Sequence, residues 1–150
     1  MEANVFAEAA SILRSLLPGE LGELRQKVRR YGMKVWFGPD QPPRDHYEAQ
    51  VIGPDASPEA QVLVLEVGFH AEHPDERESQ AVLDQLLAGE ARWRGIVGAE
   101  ATAGPFLGRA THWRRISETW PDPDLGDPEL VLELGTRLTD YITAIEPLRR

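Results

Sequence analysis

The stretch from Asp45 to Glu76 alternates apolar and polar side chains with a period of two, and this alternation constrains the fold more than any other feature. Successive side chains of a β-strand point to opposite faces of a sheet, so the alternation predicts two strands with one apolar and one polar face. The apolar set is Tyr47, Ala49, Val51, Leu63, Leu65, Val67 and Phe69, and the polar set is His46, Glu48, Glu66, His70 and Glu72. The apolar face predicts a core, and the polar face is either solvated or a site.

The length of 150 residues, with 41% hydrophobic and 27% charged residues, indicates a single globular domain over residues 1–150. No window approaches the roughly 18 consecutive apolar residues of a membrane span, and the N-terminal residues lack the basic start of a signal peptide. We therefore expect a cytoplasmic protein that does not insert into a membrane. The absence of cysteine excludes disulfides and thiolate ligands, so any metal must use His, Asp or Glu.

The formal net charge of −9 disfavours a general binder of nucleic acid or anionic membranes, because phosphate contacts need a concentrated positive surface. The basic residues between Arg14 and Arg30 are interspersed with Glu20 and Glu23, which indicates a solvated face. We therefore expect no nucleic-acid partner.

Helical spacing dominates the N-terminal part of the chain. Apolar residues three and four apart predict a helix from Val5 to Leu17, which Pro18 and Gly19 interrupt. A second short helix is predicted from Leu21 to Tyr31, on the stripe of Leu21, Leu24, Val28 and Tyr31, with Gly32 as its C-terminal cap.

Three strands are predicted next. The first covers Met33–Gly38, the second His46–Ile52 and the third Gln61–Ala71. The prolines and glycines of residues 38–45 and 53–58 mark the connections, which are short enough to favour an antiparallel meander.

The remaining elements follow from capping and breaker signals. Asp75 is the predicted N-cap of a helix that runs to about Gly89 or beyond, and Asp127 with Pro128 opens a last helix that ends near Pro147. Between them, residues 98–108 are predicted as a loop around one short strand or helical turn, and Arg109–Trp120 as a strand.

Together these elements predict an α+β fold, a twisted antiparallel sheet of a three-strand meander plus one or two further strands, packed against helices in the order α-βββ-α-β(β)-α. This order, with the acidity of the chain, resembles that of the small secretion chaperones of the type III class. The resemblance implies a homodimer that holds segments of a partner protein, and it assigns no residue of this chain.

The polar face offers one candidate for chemistry. Strand parity places Glu48 opposite Glu66 or one diagonal step away, so two carboxylates come close. As a metal site, Glu48, Glu66 and His70 supply ligands, with His46 or His73 as the fourth. The competing interpretation, which we favour from the sequence, is a solvated face. His73 lies on the opposite side of a straight strand from His70, which favours a surface role for it.

Aromatic residues add a second candidate. A ligand-binding surface on the polar face would combine two tryptophans with the polar set: Trp36, His46, Glu48, Glu66, His70 and Trp113. The alternative, which we favour, is that the tryptophans anchor the core. The glycine-rich segment Val97–Gly108 lacks the spacing of a phosphate-binding loop, and Ser117 lacks a nucleophile elbow.

Three functional hypotheses follow. The favoured one is a non-enzymatic protein-interaction module, a small acidic homodimer of chaperone-like or adaptor type, without cofactor. The second is a small-ligand-binding domain that uses the polar face, and the third is a metal-dependent hydrolase that uses Glu48, Glu66 and His70.

Overall fold

The computed structural model describes residues 4–53, 63–108 and 110–150. Its helices are α1 (Val5–Leu16), α2 (Glu76–Leu87), α3 (Glu90–Val97) and α4 (Pro128–Arg149), with a short 3-10 helix at Gly19–Leu21. Its strands are β1 (Leu24–Arg29), β2 (Gly32–Phe37), β3 (Asp45–Ile52), β4 (Val64–Ala71), β5 (Thr102–Pro105) and β6 (Arg114–Pro121).

The strands form one antiparallel sheet in the order β1-β2-β3-β4-β6-β5. The first four strands follow one another as a meander, and the chain then returns through α2 and α3 to add the last two beside β4. The predicted α+β class, with an antiparallel sheet packed against helices, is confirmed. In the part of the chain that the structure describes, no helix combines the length and apolarity that crossing a membrane requires.

The predicted helix from Leu21 to Tyr31 is wrong, because most of this segment is β1. Leu24 and Val28 are four residues apart, and that separation fits one helical turn as well as two strand periods. β1 pairs with β2 through Leu24↔Phe37 and Arg29↔Gly32, which leaves Arg30 and Tyr31 as the turn. This turn carries no Asn-Gly or Asp-Gly signal, so the hairpin was not apparent from the sequence.

The register of β3 and β4 confirms the two predicted faces. His46 lies opposite His70 and Tyr47 opposite Phe69, so even-numbered residues share one face of these strands and odd-numbered residues the other. Of the predicted apolar set, the hydrophobic core contains Tyr47, Ala49, Leu65, Val67 and Phe69, together with residues of α1 and α4. Val51 packs against this core, whereas Leu63, just before β4, is exposed. Tyr47 also reaches α4, where its hydroxyl donates a hydrogen bond to Glu146 (3.0 Å).

The helix caps and boundaries largely follow the sequence signals. Asp75 and Asp127 cap α2 and α4, and each side chain accepts a hydrogen bond from a backbone N–H of the first turn. α2 ends before Gly89, which starts the separate helix α3, while α4 continues through Pro147 to Arg149. Residues 98–108 contain the short strand β5. The predicted strand residues Gln61, Val62 and Arg109, and the predicted turn at residues 54–58, lie outside the described residues.

Position 68, in the middle of β4, requires glycine because the backbone of β6 passes too close to leave room for a side chain. Its φ is +154°, and a Cβ there would lie 2.3 Å from the carbonyl oxygen of Ile116 and 2.6 Å from the Cα of Ser117 on β6. We expect Gly68→Ala to lower the free energy of unfolding by about 2–3 kcal/mol, from backbone strain and this collision.

Urea denaturation would measure this loss, and Gly104→Ala is the matched control. Gly104 lies in β5, on the other side of β6, and a Cβ at that position meets no atom within 4 Å. A loss as small for Gly68→Ala as for the control would contradict the expectation.

Candidate metal centre

Four side chains of the polar face converge at the pair of strands β3 and β4. They are His46 and Glu48 on β3, and His70 on β4 with Glu72 just after its end. Glu72 continues the ladder, because its backbone N–H donates to the carbonyl of Arg44 (2.9 Å). Each strand therefore contributes a His-x-Glu pair, and period-two alternation turns both members of a pair to the same face.

The four nitrogen–oxygen pairs that link these residues are 2.8–3.4 Å long, at or somewhat below the separation of ligand atoms around a metal ion. His46 Nε2 is 2.8 Å from Glu48 Oε1 and 3.4 Å from Glu72 Oε2. His70 Nδ1 is 3.3 Å from the same Glu48 oxygen and 3.0 Å from the same Glu72 oxygen. A tetrahedral ion with bonds of about 2.0–2.1 Å has ligand atoms roughly 3.3–3.4 Å apart. Two imidazole nitrogens and two carboxylate oxygens thus surround a position that one ion could occupy.

Each imidazole has an inner nitrogen that faces the other three residues and an outer nitrogen that points away from them, and each outer nitrogen is hydrogen-bonded to an acceptor. His46 Nδ1 lies 2.9 Å from the carbonyl oxygen of Pro43, and His70 Nε2 lies 2.7 Å from Glu66 Oε2. A carbonyl and a carboxylate can only accept, so each outer nitrogen carries a proton. In a neutral imidazole the other nitrogen then presents its lone pair to the cluster, which is the arrangement found around metal-ligating histidines.

Glu66 supports His70 from behind the cluster. It is fully buried, accepts a hydrogen bond from Gln50 Nε2 (2.9 Å), and is also hydrogen-bonded to Ser117. The pairing Gln50↔Glu66 places Glu48 one diagonal step from Glu66, as strand parity predicted. Glu66 lies outside the group of four, so its place in the predicted ligand set is taken by Glu72.

The interpretation of the polar face as solvated is wrong for these residues. His46 is 1% exposed and His70 0%, while Glu48 and Glu72 are each 8% exposed. Buried charges are unfavourable unless they are paired or coordinate a metal, so this face needs its polar groups to satisfy one another or to hold an ion.

Loops from both sides cover the cluster. The ring of Phe106 lies edge-on to His70 with centroids 4.7 Å apart, and Trp113 packs on Phe106 at 5.3 Å. On the other side, the connection between β2 and β3 supplies the Pro43 carbonyl to His46 and the Pro39 carbonyl to the indole of Trp36 (2.7 Å). The burial of the cluster thus depends on the loop that precedes β3 and on the loop between β5 and β6.

The two predicted tryptophans border the site without contacting the four ligand atoms. Trp36 is 4% exposed and shares the polar face of β2 with Lys34. Trp113 is half-buried, and its indole nitrogen has no hydrogen-bond partner in the described part of the chain. His73 lies apart from the cluster, because it pairs with Asp45 (2.8 Å) and Glu78 (3.3 Å).

Without an ion, the cluster is a network of ion pairs. Burial alone would lower the pKa of His70, but the Glu66 charge and hydrogen bonds to the carboxylates raise it well above its ordinary value. His46 follows the same pattern, with burial outweighed by Glu48 and Glu72. Burial opposes ionisation of Glu48, yet hydrogen bonds with both histidines lower its pKa to about 2. The pKa values of Glu66 and Glu72 are also lowered, because His70 outweighs burial for Glu66 and both histidines do so for Glu72. Protonated imidazoles therefore take the place of a cation.

The repeated His-x-Glu pattern is the sequence signal that identifies this set. His46-Tyr47-Glu48 and His70-Ala71-Glu72 are spaced alike on adjacent antiparallel strands, and Glu72 belonged to the polar set while remaining outside the predicted ligands. Alternation placed Glu72 on the polar face, and the backbone hydrogen bond to Arg44 extends the strand pairing past the last residue of β4 to Glu72.

Comparisons of the chain with protein-family models, with curated proteins and with solved structures give no significant match. They therefore add no support to the resemblance in element order to type III secretion chaperones, and the function has to be argued from the site itself.

Proposed function

We propose that this chain is a metal-binding protein that holds one first-row divalent ion between His46, Glu48, His70 and Glu72. The observation that supports it best is the fixed orientation of both imidazoles, whose outer nitrogens are bound by Pro43 and Glu66. Both inner nitrogens face the same two carboxylate oxygens, so one ion could take the place of the two inner protons.

Zinc fits this donor set best. Zinc accepts two imidazole nitrogens and two carboxylate oxygens as ligands, and atoms that all lie within 4.8 Å of one another need only small movements to reach the roughly 3.4 Å separation of a tetrahedral shell. Four protein ligands fill a tetrahedral shell, whereas catalytic zinc sites keep one position for water or substrate. The geometry therefore favours a protein that retains its metal over a metal-dependent hydrolase.

The test is a metal titration of the full chain after treatment with a chelator. We expect calorimetry to give one zinc ion per chain. At free zinc about 100 times the dissociation constant, binding stabilises the native state by about 2.7 kcal/mol. For a chain of this size that raises the melting temperature by roughly 5–11 °C.

The visible spectrum of the cobalt-substituted protein provides a second measurement, because it distinguishes tetrahedral from octahedral coordination. A melting temperature unchanged by zinc, cobalt, nickel and manganese alike would overturn the proposal. Such a result would leave the cluster as a buried network of ion pairs.

The hypothesis of an acidic homodimeric interaction module stays a prediction. It assigns the binding of a partner to the acidic surface and the sheet face, and sedimentation of the protein over a range of concentrations tests whether the chain is a dimer.

A further inference from the structure

We propose that a small organic anion with a carboxylate or phosphate group binds in the cleft that opens beside the metal centre on β1, β2 and β3. This inference rests on the proposed function for the metal, but the cleft has ligand-binding features of its own. Its volume is about 340 Å³, and its lining includes Lys27, Arg29, Tyr31, Lys34, Glu48 and Gln50. Pockets for small molecules begin at about 300 Å³, so the cleft suits a small ligand.

The cleft concentrates positive charge in a chain whose net charge is −9. Lys27 on β1 lies directly opposite Lys34 on β2. Like charges in directly opposed positions of a sheet destabilise the pairing of the strands. An anion bound in the cleft would offset this repulsion, because lysine binds phosphate and carboxylate groups as a point charge.

Lys27 and Lys34 lie in line with the proposed metal ligand Glu48 across three neighbouring strands. Lys34 lies opposite Glu48 on β3, so Lys27, Lys34 and Glu48 occupy successive strands at one level of the sheet. Neighbouring strands are about 4.8 Å apart, so the row spans roughly 10 Å, the length of a small organic anion. Glu48 lines the cleft and is also a ligand of the proposed metal centre, so a molecule bound in the cleft would lie beside that centre.

Metal binding would strengthen the attraction of the cleft for anions. Lys34 Nζ lies 3.7 Å from Glu72 Oε1, so in the metal-free protein Glu72 partly neutralises this lysine. A divalent ion bound to Glu48 and Glu72 takes up the charge of both carboxylates. The carboxylate of Glu72 then neutralises less of the positive charge of Lys34, so the ammonium group can attract an anion in the cleft.

The experiment measures binding of inorganic phosphate and, separately, of succinate to the zinc-loaded full chain by calorimetry. We expect at least one of the two anions to bind at millimolar concentration or below, and the arm that responds identifies the anionic group. In the Lys27→Met/Lys34→Met variant the affinity should fall at least tenfold while one zinc ion per chain still binds.

The matched control is Arg77→Met/Arg92→Met, which removes two positive charges from exposed positions outside the cleft. It should keep the affinity of the unmodified chain. The inference is overturned if neither anion binds, or if the lysine variant binds them as well as the control does. Anion binding that depends on the lysines in a chain that takes up no zinc would support the cleft and contradict the metal centre.

Discussion

Replacing His70 with alanine is expected to abolish stoichiometric zinc binding and to raise the dissociation constant at least about 1000-fold. Loss of a group that only supports a ligand costs roughly 10–100-fold, and His70 supplies a ligand atom itself. Its removal also leaves the buried carboxylates of Glu48, Glu66 and Glu72 without the imidazole that each of them contacts. Competition with a chromophoric chelator would measure the change in affinity.

The control for this variant is His73→Ala. His73 is three residues further along the chain, but it pairs with Asp45 and Glu78 outside the cluster, so zinc affinity should stay within about twofold. Glu72→Gln provides a gentler test if His70→Ala does not fold, because it keeps the size of the side chain and removes only the charge. Unchanged zinc affinity in both cluster variants, in folded protein, would exclude this centre.

Glu118→Leu is expected to destabilise the fold by about 3–5 kcal/mol, the range for breaking a buried ion pair by removing one partner. Glu118 lies on the core face of β6 and is 7% exposed. Its carboxylate accepts hydrogen bonds from Arg137 Nε (2.7 Å), the Tyr141 hydroxyl (2.8 Å) and Trp120 Nε1 (2.8 Å). Leucine leaves all three donors without this acceptor.

Thermal unfolding would measure this effect as a fall in melting temperature of roughly 6–20 °C for a chain of this size. Glu133→Leu on the exposed side of α4 is the control, and its effect should stay within about 0.5 kcal/mol. An effect of Glu118→Leu no larger than that of Glu133→Leu would mean that the network contributes nothing to stability.

The alternation of β3 and β4 made the faces of the sheet predictable, because a period of two is a local property of the chain. Tyr47 and Phe69 face the core, and His46 and His70 share the other face. β1 was not predictable in the same way, because Leu24 and Val28 fit both the helical and the strand period. Its pairing partner, β2, decides between the two structures.

The burial of the polar face could not be predicted from β3 and β4 themselves. It comes from the loop just before β3, which brings Pro43 to His46, and from Phe106, 36 residues beyond His70. The contact with Phe106 depends on how the loop between β5 and β6 returns over the sheet, and local spacing contains no signal for that. The residue types and parity of the site were therefore accessible from the sequence, while the choice of Glu72 over Glu66 required the three-dimensional arrangement.

The position of His46 opposite His70 couples metal binding to folding. The ligands come from residues 46–48 and 70–72, so they meet only where β3 and β4 are paired, in a chain without cysteine. Because the unfolded chain holds no such site ready, the free energy of metal binding adds to the free energy of folding. Bringing the two segments together closes a loop of about 20 residues, and each doubling of that length would raise the closure entropy by only about 0.6 kcal/mol. The metal would thus fasten two strands in a way that a chelator reverses and that oxidants and reductants do not affect.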